Sequence, residues 1–135
     1  MPTTHRSYSL TTTTELSFDD AVTRVRQELA QEGFGVLSEI DVQATLKAKL
    51  GVDGEPYLIL GACNPALAHA ALEAEPELGV LLPCNVVIYA QQGQTHIAAV
   101  DAEQMLSIVD NDQLGPTAAE VSRRLAAVVE RAAGA

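Results

Sequence analysis

The alternation of apolar and polar residues changes period several times along the chain, and each change marks an element. His5 to Thr13 is rich in β-branched residues and reads as a strand, with Tyr8 and Leu10 on one face. Ser17 opens a helix, with Asp20 three residues on completing a start that resembles a capping box. Phe18, Val22, Val25 and Leu29 follow helical spacing, and Gly33 ends the run. Over Phe34 to Val42 the period drops to two, with Val36, Ser38, Ile40 and Val42 facing one way and Leu37, Glu39 and Asp41 the other. A short helix from about Gln43 to Leu50 closes at Gly51, and Leu46 and Leu50 are expected to share its inner face.

The second half repeats these signals. Asp53-Gly54-Glu55-Pro56 is a turn, and Tyr57 to Cys63 is a nearly uninterrupted apolar strand. Asn64 suits the N-cap of a helix and Pro65 its first turn, with a stop at Pro76. Cys84 to Ala90 is another buried-type strand, joined through Gln92-Gly93 to a hairpin partner at Gln94–Val100. Asp101 caps a short helix through Val109, with Gln104 in the capping-box position. Thr117 with Glu120 is expected to cap the last helix, whose apolar face is Val121, Leu125, Val128 and Ala132. The order is β-α-β-α-β-α-β-β-α-α. It predicts a single α+β domain over residues 1–135 with a mostly antiparallel sheet of about five strands.

Strands Tyr57–Cys63 and Cys84–Ala90 are apolar on both faces: Ile59 opposes Leu58 and Leu60, and Val87 and Tyr89 oppose Val86 and Ile88. A sheet that is apolar on both faces must be covered on both. Short connections and hairpin signals place the helices mainly on one face. The other is then left for a second copy, and a homodimer is the expected assembly; a monomer with both faces covered by its own helices also fits the pattern.

Composition narrows the function classes. A hydrophobic fraction of 47% against 19% charged residues describes a globular chain rather than a disordered one. With no Trp, the core is built from aliphatic side chains. Eighteen acidic residues against eight basic give a net charge of −10, which opposes phosphate backbones and anionic membranes, so neither nucleic acid nor membrane is an expected partner. No apolar run approaches the roughly 20 residues of a membrane span. The Thr-rich start, Met1 to Thr14, has no apolar central region, so no secretion signal is read there and the cytoplasm is the expected compartment.

The candidate chemistry is a pair of Cys-Asn motifs, Cys63-Asn64 and Cys84-Asn85. Cys63 ends an apolar strand immediately before a helix N-cap, where N–H groups and the helix dipole favour thiolate. Cys84 opens the next buried strand, and the thiols meet if the two strands are neighbours. Buried Cys commonly acts as a small hydrophobe, and capping alone explains Asn64. Two thiols without a Cys-x-x-Cys are not a zinc signature, and no cofactor is predicted. His69 and Glu73 are four residues apart on one helix, which suits either an assisting base or a simple surface pair. Glu39 and Asp41 share a strand face, but Asp41 also suits the cap of the following helix. Cys63, Cys84, Asn64, Asn85 and His69 are therefore the candidate site, with Glu39, Asp41 and Glu73 as weaker candidates. No catalytic set is recognised.

Three separated segments, Gly33-Phe34-Gly35-Val36-Leu37-Ser38-Glu39-Ile40-Asp41-Val42, Leu60-Gly61-Ala62-Cys63-Asn64-Pro65 and Leu82-Pro83-Cys84-Asn85-Val86, resemble the family called domain of unknown function 302. The resemblance spans about Thr14 to Leu125, including Leu46, Lys47 and Leu50 and the Val100-Asp101 step before Met105-Leu106. It implies a curved antiparallel sheet with helices packed on it, of the kind seen in TATA-binding-protein-like folds, assembled as dimers. It implies no reaction. A fold shared with a DNA-binding protein does not bring DNA binding with it. Asn85 stands where the family pattern commonly has Arg, so an anion site built on that Arg does not carry over.

Three functions from different classes follow from this reading. The first is a dimeric binding or accessory module, with a small ligand or protein partner near the Cys63/Cys84 end. The second is thiol redox, sulfur handling or soft-metal binding through Cys63 and Cys84. The third is a structural interaction protein with inert cysteines.

Overall fold

The computed structural model describes residues 3–134. The elements run β1 (Thr4–His5), β2 (Ser9–Thr14), α1 (Phe18–Gln31), β3 (Gly35–Asp41), α2 (Val42–Leu50), β4 (Tyr57–Cys63), α3 (Pro65–Ala74), β5 (Cys84–Gln91), β6 (Gln94–Val100), α4 (Ala102–Ser107) and α5 (Gly115–Ala132). 3-10 helices at Pro76–Leu81 and Asp112–Leu114 bridge α3 to β5 and α4 to α5. The strands form one antiparallel sheet in the order β1-β2-β6-β5-β4-β3. The α+β class and antiparallel sheet match the sequence reading. The count is six strands rather than five, because the chain leaves the strand at Arg6–Tyr8 and splits the first segment into β1 and β2. Tyr8 accordingly lies outside β2 and is exposed, while Leu10 is buried.

Side-chain alternation sorts the sheet into two faces. The rows Leu10–Ala99–Val86–Leu60 and Thr12–Ile97–Ile88–Leu58 run across β2, β6, β5 and β4 and are buried. Onto them pack Ala21, Val25 and Leu29 of α1 and Val121, Leu125, Val128, Val129 and Ala132 of α5, in one core cluster. Each fully buried Leu, Ile or Val contributes about 1.5–3 kcal/mol, so this two-helix cover is where the stability is concentrated. A smaller cluster of Ala71, Leu78, Leu106, Leu114 and Ala118 ties α3 and α4 to α5. The opposite face carries Val87, Tyr89, His96 and Ala98 and opens into a broad concavity. No helix among the described residues is long and apolar enough to cross a membrane.

Local chemistry sets the ends of the elements. Ser17 Oγ accepts the Asp20 N–H at 3.1 Å, Asp41 Oδ1 that of Ala44 at 2.9 Å, and Asp101 Oδ1 that of Gln104 at 3.1 Å, each satisfying an orphan donor of the first turn. Gln92 and Gly93, at φ 53 and 79, make the tight turn between β5 and β6. The expected cap by Thr117 and Glu120 is not formed. α5 starts earlier, at Gly115, which leaves Thr117 inside its first turn, and Glu120 instead accepts from Arg123 and Arg124 on the same helix. Those two guanidiniums hold the Glu120 carboxyl well below the usual range, at about 2.

Two further expectations fail. The strict alternation read over residues 34–42 is broken by a bulge: Val36 pairs with Ala62 and Ser38 with Gly61, so Leu37 is the extra residue. Val36 therefore shares a face with Ala62, while Ser38 and Ile40 share the open face with Gly61 and Ile59. Nor does α2 have an inner face. None of its residues is buried; Leu46 is 40% exposed and Leu50 70%.

Gly61 is required by close approach. A Cβ there would collide with the Ser38 side chain and lie 2.8 Å from Pro83 Cγ, so β3 and the start of β5 close over a bare backbone. Gly61→Ala is expected to destabilise the fold by about 1–3 kcal/mol through overpacking, read as a lower urea midpoint at unchanged slope. An unchanged midpoint would contradict this account of the β3–β4–β5 junction.

Candidate functional site

At one end of the sheet, β4 runs out into α3 and β5 begins beside it. Ala62 and Cys84 are register partners, and Cys63 is the next residue along β4, opposite Gly35. The strands are therefore neighbours, and both cysteines are free thiols lining one groove. The groove holds about 250 Å³ and is walled by Phe34, Leu37, Leu67, Leu72, Leu78 and Leu82, with further small side chains from α3 and α5. Its lining contains no charged residue.

α3 is held in place at its N-cap. Asn64 Oδ1 accepts the Leu67 N–H at 3.2 Å, and its Nδ2 reaches the Glu32 carbonyl at 3.5 Å. Arg124 Nη1 donates to the same carbonyl at 3.0 Å, so the end of α1, the start of α3 and the middle of α5 meet at one backbone oxygen. Gly33 allows this: its φ is 83, and a Cβ would lie 2.9 Å from Asn64 Nδ2. Asn64 is a structural member of the groove wall.

The two thiols differ. Cys84 is buried, and burial, with a smaller contribution from the Cys63 charge, pushes its thiol up from 9.0 to about 11. Cys63 is half-buried and faces the groove at the start of α3.

The remaining candidates are dispersed. Asn85 is exposed and lines the concavity on the opposite face of the sheet, so the two Cys-Asn motifs place their Asn residues in different environments. His69 Nε2 lies 3.2 Å from Glu73 Oε1, both side chains are mostly exposed, and neither lines the groove. Glu39 Oε2 accepts from Arg26 Nη2 at 2.6 Å, joining β3 to α1. Asp41 caps α2. Among the described residues, no group of three or more His, Cys, Asp or Glu side chains is arranged to hold a metal ion.

On the open face, Tyr57, Tyr89 and His96 stack across three strands, with ring centroids 5.3 Å apart for the tyrosines and 4.7 Å for Tyr89 and His96. His96 has no role in the sequence reading. The hairpin register contains the signal, since the Gln92-Gly93 turn places Tyr89 opposite His96 and β4 brings Tyr57 opposite Tyr89. The stack crosses the floor of the concavity, which holds about 1320 Å³. Ser9, Thr11 and Thr13 border it along β2.

Comparison with known proteins agrees with this architecture. The family model described as "Domain of unknown function DUF302" matches residues 10–132. The crystal structure of an uncharacterised conserved DUF302 protein from Bacillus stearothermophilus superposes with a TM-score of 0.86 at 32% identity. The match covers 92% of this chain and 97% of that one. None of the curated proteins matches this chain.

Two measurements check the thiol assignment. Alkylation of the native protein at neutral pH is expected to modify Cys63 and spare Cys84 until the chain is unfolded; mass spectrometry showing rapid double modification would contradict it. The Cys84 shift also carries a pH signature. Below pH 9 the thiol is neutral in both the folded and unfolded states; above it, only the unfolded state ionises until pH 11 is approached. The stability advantage of the wild type over Cys84→Ala should therefore hold below pH 9 and shrink by about 3 kcal/mol as pH rises to about 11, measured by urea titration at each pH.

Proposed function

Because the chain belongs to the DUF302 family, we propose that it is a dimeric binding module that holds a small, uncharged, apolar ligand in the groove between α3 and the β4–β5 end. The observation that carries this reading is the groove itself, a preformed apolar cleft with no charged residue in its lining. At about 250 Å³ the groove is near the lower end of the size range of small-molecule pockets. Burial of apolar surface supplies the affinity, and the absence of charge selects against ions, whose desolvation would go uncompensated.

The half-covered sheet face supports the dimeric reading. Tyr57, Val87, Tyr89 and Ala98 remain only half-covered on the face away from α1 and α5, and a second copy would complete their burial. The lining of that face includes no Asp or Glu, although the chain carries eighteen, so two copies with a net charge of −10 can approach there without opposing carboxylates.

Thiol chemistry is a second reading, favoured by the partial exposure of Cys63 inside the groove. Against a two-thiol mechanism stands Cys84, which at about 11 remains protonated at neutral pH. In the binding-module reading Cys63 is a soft contact for the ligand, and Cys63→Ser should weaken binding only slightly.

A series of straight-chain alcohols, hexanol to decanol, followed by calorimetry, tests the ligand class. Affinity is expected to rise with chain length until the groove is filled, by up to about 0.8 kcal/mol per methylene, and Ala68→Trp, which fills the groove, should abolish binding. Equal binding to Ala68→Trp, or no binding by any member of the series, would contradict the reading.

A further inference from the structure

The concavity on the open sheet face differs in chemistry from the groove beside Cys63. Strand register sorts its floor into rows that cross the sheet. His96, Tyr89 and Tyr57 form one row, Thr11, Ala98 and Val87 the next, and Ser9 begins a third. The middle row is low at its centre, because Ala98 carries a single methyl group. The ring row beside it stands taller. Its rings are stacked, with centroids 4.7 and 5.3 Å apart and planes 8° and 21° from parallel. They therefore cover one another's faces and turn their edges to the middle row. Ring edges carry the positive side of the aromatic quadrupole, so they receive the π face of another ring.

The opposite side of the middle row is polar and cationic. Arg6 lines the concavity from the turn between β1 and β2, where its backbone N–H donates to the Ser9 carbonyl at 2.8 Å. Among the described residues no ion pair engages Arg6, whereas Arg26, Arg123, Arg124 and Arg131 each have a carboxylate partner. The hydroxyls of Ser9 and Thr11, 3.3 Å apart, border the concavity on the same side. No Asp or Glu among the described residues lines it, although the chain carries eighteen acidic residues. An anion placed there meets a guanidinium and hydroxyl donors with no carboxylate opposing it. The net charge of −10 does not decide the matter, because exposed charges beyond about 8 Å are largely screened at physiological ionic strength.

We propose that the open sheet face binds a small aromatic carboxylate. Its ring lies over Ala98 and Val87 against the edges of Tyr89 and His96, and its carboxylate points to Arg6 and the β2 hydroxyls. The ring stack supplies the preference for an aromatic ligand, and Arg6, in a lining free of carboxylates, supplies the preference for an anion. All of these contacts come from one chain, so the site is independent of the Cys63 groove and of the dimeric reading. Two copies meeting over this face would cover the bound ligand.

NMR titration of the full chain with phenylacetate, phenylethanol and cyclohexylacetate at neutral pH tests the site, with sedimentation equilibrium on the same samples. Phenylacetate is expected to bind more tightly than its uncharged and non-aromatic counterparts and to shift the amides of Thr11, Val87 and Ala98. Arg6→Gln, at an exposed position, should weaken phenylacetate about fivefold, the effect of one charge-assisted contact at the surface, and leave phenylethanol unchanged. Equal affinity for phenylacetate and phenylethanol, or an Arg6→Gln variant that binds phenylacetate like the wild type, would overturn the proposal. So would shifts confined to the Cys63 groove around Ala68. A dimer that does not bind phenylacetate would give the face to the second copy alone and overturn the site. A monomer that binds it with the expected Arg6 dependence would leave the site standing and overturn the dimeric reading instead.

Discussion

A sheet with apolar side chains on both faces, covered by its own helices on only one, is the constraint on which the rest of this structure depends. The covered face is a conventional core: Leu60, Val86 and Ala99 lie beneath α1 and α5, where burial is complete. The connections at the ends of the sheet are fixed by helix caps. Asn64 is the clearest case, since the residue that starts α3 also approaches the Glu32 carbonyl at the end of α1. The groove beside Cys63 lies where β4 runs out into α3 and β5 begins beside it.

The same constraint explains the distribution of polar chemistry. Glu39 is used to tie β3 to α1 through Arg26, and Glu120 to anchor Arg123 and Arg124. Asp41 and Asp101 terminate helices. The acidic and amide groups that stood out as candidate chemistry thus mostly hold the scaffold together. What remains available for binding is a small apolar groove with one accessible thiol, and a broad concavity floored by two tyrosines and a histidine and bordered by Arg6 and the hydroxyls of β2.

Much of this was legible in the sequence, for identifiable reasons. Helical spacing at Val121, Leu125, Val128 and Ala132 reflects one buried stripe, and the Asn64-Pro65 pair is a local signal that needs no tertiary context. The misreadings are equally physical. A single bulge residue, Leu37, reverses the facing of what precedes it, and side-chain alternation alone does not reveal an insertion. The Leu46–Leu50 pair has the spacing of a buried stripe, and sequence does not say whether the burial is supplied by the same chain. The Tyr57–Tyr89–His96 stack required register across three strands, which only the hairpin half of the sequence specified. His69 and Cys63 are close in sequence but diverge because α3 turns His69 toward solvent.

The dimeric reading takes the half-covered sheet face, with Tyr57, Val87, Tyr89 and Ala98, as the surface where two copies meet. The most direct measurement is the mass of the protein in solution by sedimentation equilibrium. The account predicts a dimer at micromolar concentration for the wild type and a monomer for Val87→Glu. A monomeric wild type would contradict it.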